Sequence, residues 1–210
     1  MTVVAIIDYG MGNLRSVAKA VEHVAPNAEI HVTSDPVVVS RADRVVFPGQ
    51  GAMPDCMAEL ERRGLRKPVL EAAATKPFLG ICIGLQMLFQ QSEEGDAAGL
   101  GILQGEVRRF SDRMVINDIR LKVPHMGWNG VVHEGAHPLW NDIPSGERFY
   151  FVHSFFVAPQ QAALSVGVTD YGMRFTSAVA RDNLFAVQFH PEKSARMGLQ
   201  LLSNFIDWNP

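Results

Sequence analysis

The stretch Phe78-Leu79-Gly80-Ile81-Cys82-Ile83-Gly84 restricts the folds open to this chain more than any other. An apolar run ends in a cysteine held between two glycines, and helix formers follow. That order predicts a sharp turn from a buried strand into a helix, lifting one reactive side chain above a sheet. Glycine is required on either side because the turn presses backbone against backbone, where a Cβ would collide. A thiol at the start of a helix also meets the positive end of its dipole, which favours the thiolate. A packed core turn would use the same residues, since free cysteine is often buried. The stretch alone leaves both readings open.

A second feature shifts the balance. Leu184-Phe185-Ala186-Val187-Gln188-Phe189 reads as a buried strand that runs directly into His190-Pro191-Glu192. Pro191 keeps His190 extended, and side chains two apart on an extended chain face the same way. Glu192 can then hold one imidazole nitrogen while the other faces a nucleophile. A histidine oriented by a carboxylate and poised to deprotonate Cys82 is the logic of a catalytic triad. Taken singly, His190 could be a satisfied strand-end histidine and Glu192 a carboxylate at a helix start. Three such residues at strand ends make those separate explanations the weaker ones.

The 210 residues, 47% of them hydrophobic, suffice for one α/β domain over residues 1–210 with a core that needs no staples. A net charge of -3, with lysine and arginine scattered, argues against nucleic acid or an anionic membrane as the main partner. Cys56 and Cys82 cannot form a disulfide framework, so a reducing cytoplasm is the expected setting, and Cys56 reads as packing. Met1 to Ile7 lacks a basic region and soon meets Asp8, so no secretory leader is expected. No apolar run reaches membrane-span length.

The first half alternates apolar runs with amphipathic stretches, which predicts βαβ units and a mostly parallel sheet flanked by helices. Expected strands are Val3 to Ile7, Ala28 to Val32, Arg44 to Phe47 and Phe78 to Ile81, with Asp35-Pro36 as a breaker. Expected helices run from Asn13 through Val24, near Asp55 to Arg63, from Leu70 to Ala74, and from Ile83 to about Gln91. Beyond Gly99 shorter segments predict a mixed or antiparallel extension: Gly105 to Phe110, Ile119 to Val123, Val131-Val132, Arg148 to Val152, Leu164 to Val168 and Phe175 to Ala180. Ser194 to Trp208 closes the chain as a helix.

Ligands of open α/β sheets gather outside the carboxyl ends of strands. Pro48-Gly49-Gln50-Gly51-Ala52 follows one such end and can turn a backbone N–H toward a ligand, and acyl transfer at cysteine needs one such donor besides that of Ile83. A plain turn would look the same. Asp8-Tyr9-Gly10-Met11-Gly12-Asn13 lacks the third glycine of a dinucleotide fingerprint, because Arg15 holds that place. A partner-facing or structural loop is expected there. Gln86 and Glu94 belong to the same rim, with solvated surface as the default for both. His125, His133, His137 and His153 do not follow metal-ligand spacing, so packing is expected of them and neither metal nor cofactor.

These residues resemble the triad-type, class I glutamine amidotransferases, through Gly80-Ile81-Cys82-Ile83-Gly84-Leu85-Gln86, His190-Pro191-Glu192 and Pro48-Gly49-Gln50-Gly51. Asp8 to Val17, Ser92-Glu93-Glu94-Gly95, Pro124-His125-Met126-Gly127-Trp128-Asn129, Tyr150 to Ser154 and Gln188 to Ser194 narrow the likeness to the glutaminase subunits of imidazole glycerol phosphate synthases. The resemblance implies that Cys82 attacks the side-chain amide of glutamine, with His190 as base and then acid and Glu192 orienting it. It implies an oxyanion hole from backbone N–H groups of Gln50, Gly51 and Ile83. It assigns Gly51, Gln86, Glu94 and the backbone around Ser154 to substrate. Asn13 and Trp128 match surfaces that face a cyclase partner, to which ammonia passes through a tunnel. Phe155 and Phe156 depart from the family, whose members commonly carry a polar-tipped residue after the equivalent of His153-Ser154.

Overall fold

The computed structural model describes residues 1–116 and 118–210. Strands β1 (Val3–Ile7), β2 (Glu29–Thr33), β3 (Arg44–Gly49) and β4 (Phe78–Cys82) alternate with helices α1 (Leu14–Val24), α2 (Pro36–Arg41), α3 (Met53–Arg62) and α4 (Arg66–Thr75). The strand Leu184–Val187 returns from late in the sequence to lie beside β4. The resulting order is β2, β1, β3, β4, Leu184–Val187, with every neighbouring pair parallel. Apart from half-buried Val3 the four inner strands are buried, as parallel strands covered on both faces must be, while β2 at the edge is more exposed.

Beyond Leu184–Val187 the sheet turns antiparallel through Arg174–Arg181, Phe155–Pro159 and Gly105–Arg109. His125–Gly130 pairs with Arg148–His153 in a separate antiparallel ribbon. This is the expected architecture, a parallel α/β sheet with a mixed extension. Helix α1 buries Val17, Ala18, Ala20 and Val21. Helix α6 (Ala195–Asp207) buries Met197, Gly198, Leu201, Leu202 and Phe205 at helical spacing.

Several local expectations need correction. Asp35-Pro36 begins α2 rather than merely breaking structure: the Asp35 carboxylate accepts from the Val37 N–H at 2.8 Å and Pro36 sits where a helix needs no donor. After Cys82 only Ile83–Gln86 (α5) is helical, because the chain turns back through Gly99 and Leu100, whose N–H groups bond Gln90 and Met87 carbonyls. So short a helix weakens the dipole argument for the thiol. Ile119 to Val123 yields a strand only at Ile119–Arg120, whereas the aromatic segments His125–Gly130 and Phe155–Pro159, not foreseen as strands, are paired.

Register decides what meets at the carboxyl edge. Gly49 pairs with Cys82 across β3 and β4, and Ile81 pairs with Val187. The loop after β3, the nucleophile turn after β4 and the segment Gln188 to Glu192 therefore emerge side by side.

Candidate active site

Cys82 has φ 56° and ψ -110°, a backbone conformation that costs an L-residue energy and persists only when its surroundings enforce it. The surroundings are tight. A Cβ on Gly84 would land on the Phe47 carbonyl, and one on Gly80 would meet the Ala186 Cβ at 2.9 Å. A Cβ on Gly49 would strike the Tyr9 hydroxyl and approach the Ile83 Cβ at 2.8 Å. Tyr9 itself is fully buried and donates to the Pro48 carbonyl at 2.9 Å, tying the end of β3 to the loop after β1. Burial, with the Cys56 and Cys82 thiols, holds Tyr9 well above the usual phenol range, so it remains a donor.

His190 Nδ1 lies 2.8 Å from Glu192 Oε1, and both side chains are almost wholly buried. Glu192 reaches back within a 3₁₀ turn, Pro191–Lys193, rather than along an extended strand. The expected contact thus forms through different local geometry. The Ser194 hydroxyl donates to the His190 carbonyl at 2.6 Å and accepts from the Tyr150 N–H, while the His190 N–H bonds the Tyr150 carbonyl. The imidazole and the Cys82 side chain line the same cavity. Burial opposes its charge, but the Cys82 sulfur and the Glu192 carboxylate outweigh burial and push His190 up to about 10. An imidazolium beside the sulfur can hand a proton to a leaving amine.

Cys82, His190, Gln50, Gly51, Ile83, Gln86, Glu94 and Ser154 line one cavity of about 270 Å³. A wider groove between α2 and α4 contains none of these residues. Gln86 is buried, against the expectation of solvated surface; its Nε2 donates to the Phe155 carbonyl and to Gln188 Oε1 at 3.2 and 3.1 Å, and its Oε1 is buried without a partner. Glu94 is half-buried, and one oxygen accepts from the Met53 N–H at 2.8 Å at the start of α3. The Ser154 carbonyl is taken by the Phe110 N–H.

Asn13, at the start of α1, is exposed and makes no side-chain cap, and Trp128 keeps 43% of its surface. The Asn13 loop approaches the candidate oxyanion loop: a Cβ on Gly12 would sit 3.9 Å from the Gln50 N, and one on Gly51 would touch the Met11 methyl at 2.9 Å. On the ribbon that carries Trp128, His125 Nδ1 bonds His153 Nε2 at 2.9 Å, and His153 Nδ1 bonds the Phe155 carbonyl at 2.7 Å. Burial keeps both rings neutral, pushing His125 down to about 4 and His153 to about 3. Among the described residues no three histidine, cysteine, aspartate or glutamate side chains cluster as metal ligands. The sequence reading missed Gln188, although its two-residue offset from His190 and its polarity within an apolar run were available signals.

Residues 5–208 match the family model described as glutamine amidotransferase class-I. The chain is 69% identical to the imidazole glycerol phosphate synthase subunit HisH of Aromatoleum aromaticum over the whole of both chains. It is 62% identical to the protein of that name from Dechloromonas aromatica, covering 99% of this chain and 97% of the relative. Solved structures are similar in fold at lower identity: a glutamine amidotransferase with a TM-score of 0.71, 15% identical and covering 97% of each chain, and one from Thermotoga maritima with a TM-score of 0.62, 18% identical and covering 98% and 83%.

Proposed function

This chain belongs to the class-I glutamine amidotransferases, and from that premise we propose that it is the glutaminase subunit of an imidazole glycerol phosphate synthase, serving histidine biosynthesis. It hydrolyses glutamine to glutamate and ammonia and delivers the ammonia to a cyclase subunit. The ring-forming lyase chemistry belongs to that partner. The observation that carries the reading is the pairing at one rim of a strained Cys82 with a histidine held 2.8 Å from a buried carboxylate.

In this mechanism His190 takes the proton of the Cys82 thiol, the sulfur attacks the amide carbon of glutamine, and the carbonyl electrons move onto oxygen. Backbone N–H groups of the Gln50-Gly51 turn and Ile83 hold that oxyanion, where one donor is worth about 10²–10³ in rate. The intermediate collapses, the C–N bond breaks, and His190 protonates the departing nitrogen to give ammonia and a thioester. His190 then takes a proton from water as the water attacks the thioester, and collapse breaks the C–S bond and releases glutamate. Glu192 holds the imidazole in one tautomer throughout. Gly51, Gln86, Glu94 and the main chain around Ser154 grip the amino-acid end of the substrate.

Ammonia in neutral water is mostly protonated and not nucleophilic, so a water-excluding route to the acceptor is useful. The Asn13 loop and Trp128 face the cyclase. The Asn13 loop abuts Gln50 and Gly51, and we propose that docking of the cyclase on that loop completes the oxyanion hole. We assign the protein to the cytoplasm, in keeping with two buried free cysteines. The test supplies glutamine and the cyclase's nucleotide substrate to the chain with and without that subunit, and measures glutamate and imidazole product. Glutamate release stimulated by the loaded cyclase supports the proposal; equal turnover in its absence removes the gating, and no turnover in the loaded complex removes the function.

A further inference from the structure

Gln188 carries the inference, and it rests on the reading of Cys82 as nucleophile. The residue follows the strand Leu184–Val187, its side chain is fully buried, and its Nε2 lies 3.7 Å from Cys82 Sγ, within range of an N–H···S hydrogen bond. The orientation of its amide follows from its neighbours. The Phe155 carbonyl can only accept, so the Gln86 atom 3.2 Å from it is the NH₂ group. That same NH₂ lies 3.1 Å from the Gln188 side chain, which must offer its oxygen there. The remaining end of the Gln188 amide is then the donor, and it points at the sulfur.

We propose that Gln188 is a catalytic residue whose side-chain N–H stabilises the Cys82 thiolate, and that Gln86 is the positioning residue that fixes the direction of that N–H. The donor is useful twice in the cycle. Before attack it favours the charged sulfur, and on thioester hydrolysis it meets the electron pair that returns to sulfur as the C–S bond breaks. Gln188 gives no proton away at either point. His190 supplies the proton transfers, so the two residues divide the work of charge stabilisation and acid–base exchange.

The test is the pH dependence of Cys82 alkylation by iodoacetamide, read by peptide mass spectrometry so that Cys56 does not contribute. It is run on the full chain, alone and with its cyclase subunit. Gln188→Met removes the donor at similar volume; Gln188→Glu keeps the oxygen that accepts from Gln86 but faces the sulfur with a carboxylate. The account expects the pH midpoint of alkylation to rise by about 1–2 pH units in Gln188→Met, the worth of one hydrogen bond to a charged group, and further in Gln188→Glu. Glutaminase kcat at neutral pH falls about 10–100-fold, while synthesis fed with ammonia persists. Midpoints matching the parent in variants that still bind the cyclase overturn the role of Gln188. Glutamine hydrolysis that survives Cys82→Ala would instead overturn the reading of the site itself.

Discussion

Cys82 occupies a backbone position that only tight local packing can hold, while His190 and Glu192 are buried against one another, and the consequences are testable one side chain at a time. Cys82→Ala removes the proposed nucleophile without adding volume beside the Phe47 carbonyl or Ala186, so glutamine hydrolysis should be lost while cyclase binding and ammonia-fed synthesis survive; loss of all three would mark a structural cysteine. Glu192→Gln keeps the shape of the turn but withdraws the charge that favours the imidazolium, and kcat should fall about 10²–10⁴-fold with cyclase affinity unchanged. Steady-state kinetics beside a binding titration separate those effects. At this scale the meeting of Cys82, His190 and Glu192 at one rim could be read from the sequence because glycine spacing and His-Pro-Glu are local signals. Burial of Gln86 could not be read, because it depends on Phe155 and Gln188, 69 and 102 residues away. Gln188 left local signals, but the target of its donor, Cys82, lies 106 residues away.

Among the elements, the inner parallel strands could be foreseen because each is a largely apolar run, and the edge strand β2 because its residues alternate, whereas the turns around them depend on contacts distant in sequence. Asp35-Pro36 carries both a breaker and a helix start, and only the Asp35 cap on Val37 decides between them. Asp35→Ala should lower stability by about 1 kcal/mol in urea unfolding and leave glutaminase untouched, since α2 lies away from the site. Helix α6 behaves differently. Gly198 packs directly on the Pro191 carbonyl in the turn that carries Glu192, and an added Cβ would overlap it. Gly198→Ala therefore displaces the turn, and the account expects kcat to fall along with the melting temperature. A variant that loses only melting temperature would show the turn to be independent of α6.

For the whole molecule, the antiparallel half is built around an aromatic and imidazole cluster that reaches the segment after Leu184–Val187 through Phe151 and Phe189. His125 stacks on Phe151 and Tyr171, and His153 packs edge-on against Phe110. His125, His137 and His153 are held by burial at about 4, 4 and 3, below the ordinary 6.5. The unfolded chain binds protons first as pH falls, so their contribution is full above pH 6.5 and is lost progressively below it, down to about 4 for His125 and His137 and about 3 for His153. Urea midpoints should decline across that window, with the His125 and His153 imidazole NMR signals still neutral at about pH 5. Full protonation of both in the folded chain would contradict the cluster. The central claim is that glutamine passes through a covalent bond to Cys82 at the rim where β3, β4 and Leu184–Val187 end together. Its most direct test is acid quenching of the working complex during glutamine turnover, followed by peptide mass spectrometry. A glutamyl thioester on the Cys82 peptide, absent in Cys82→Ala, is the predicted result; continued hydrolysis with the acyl group on another residue would contradict it.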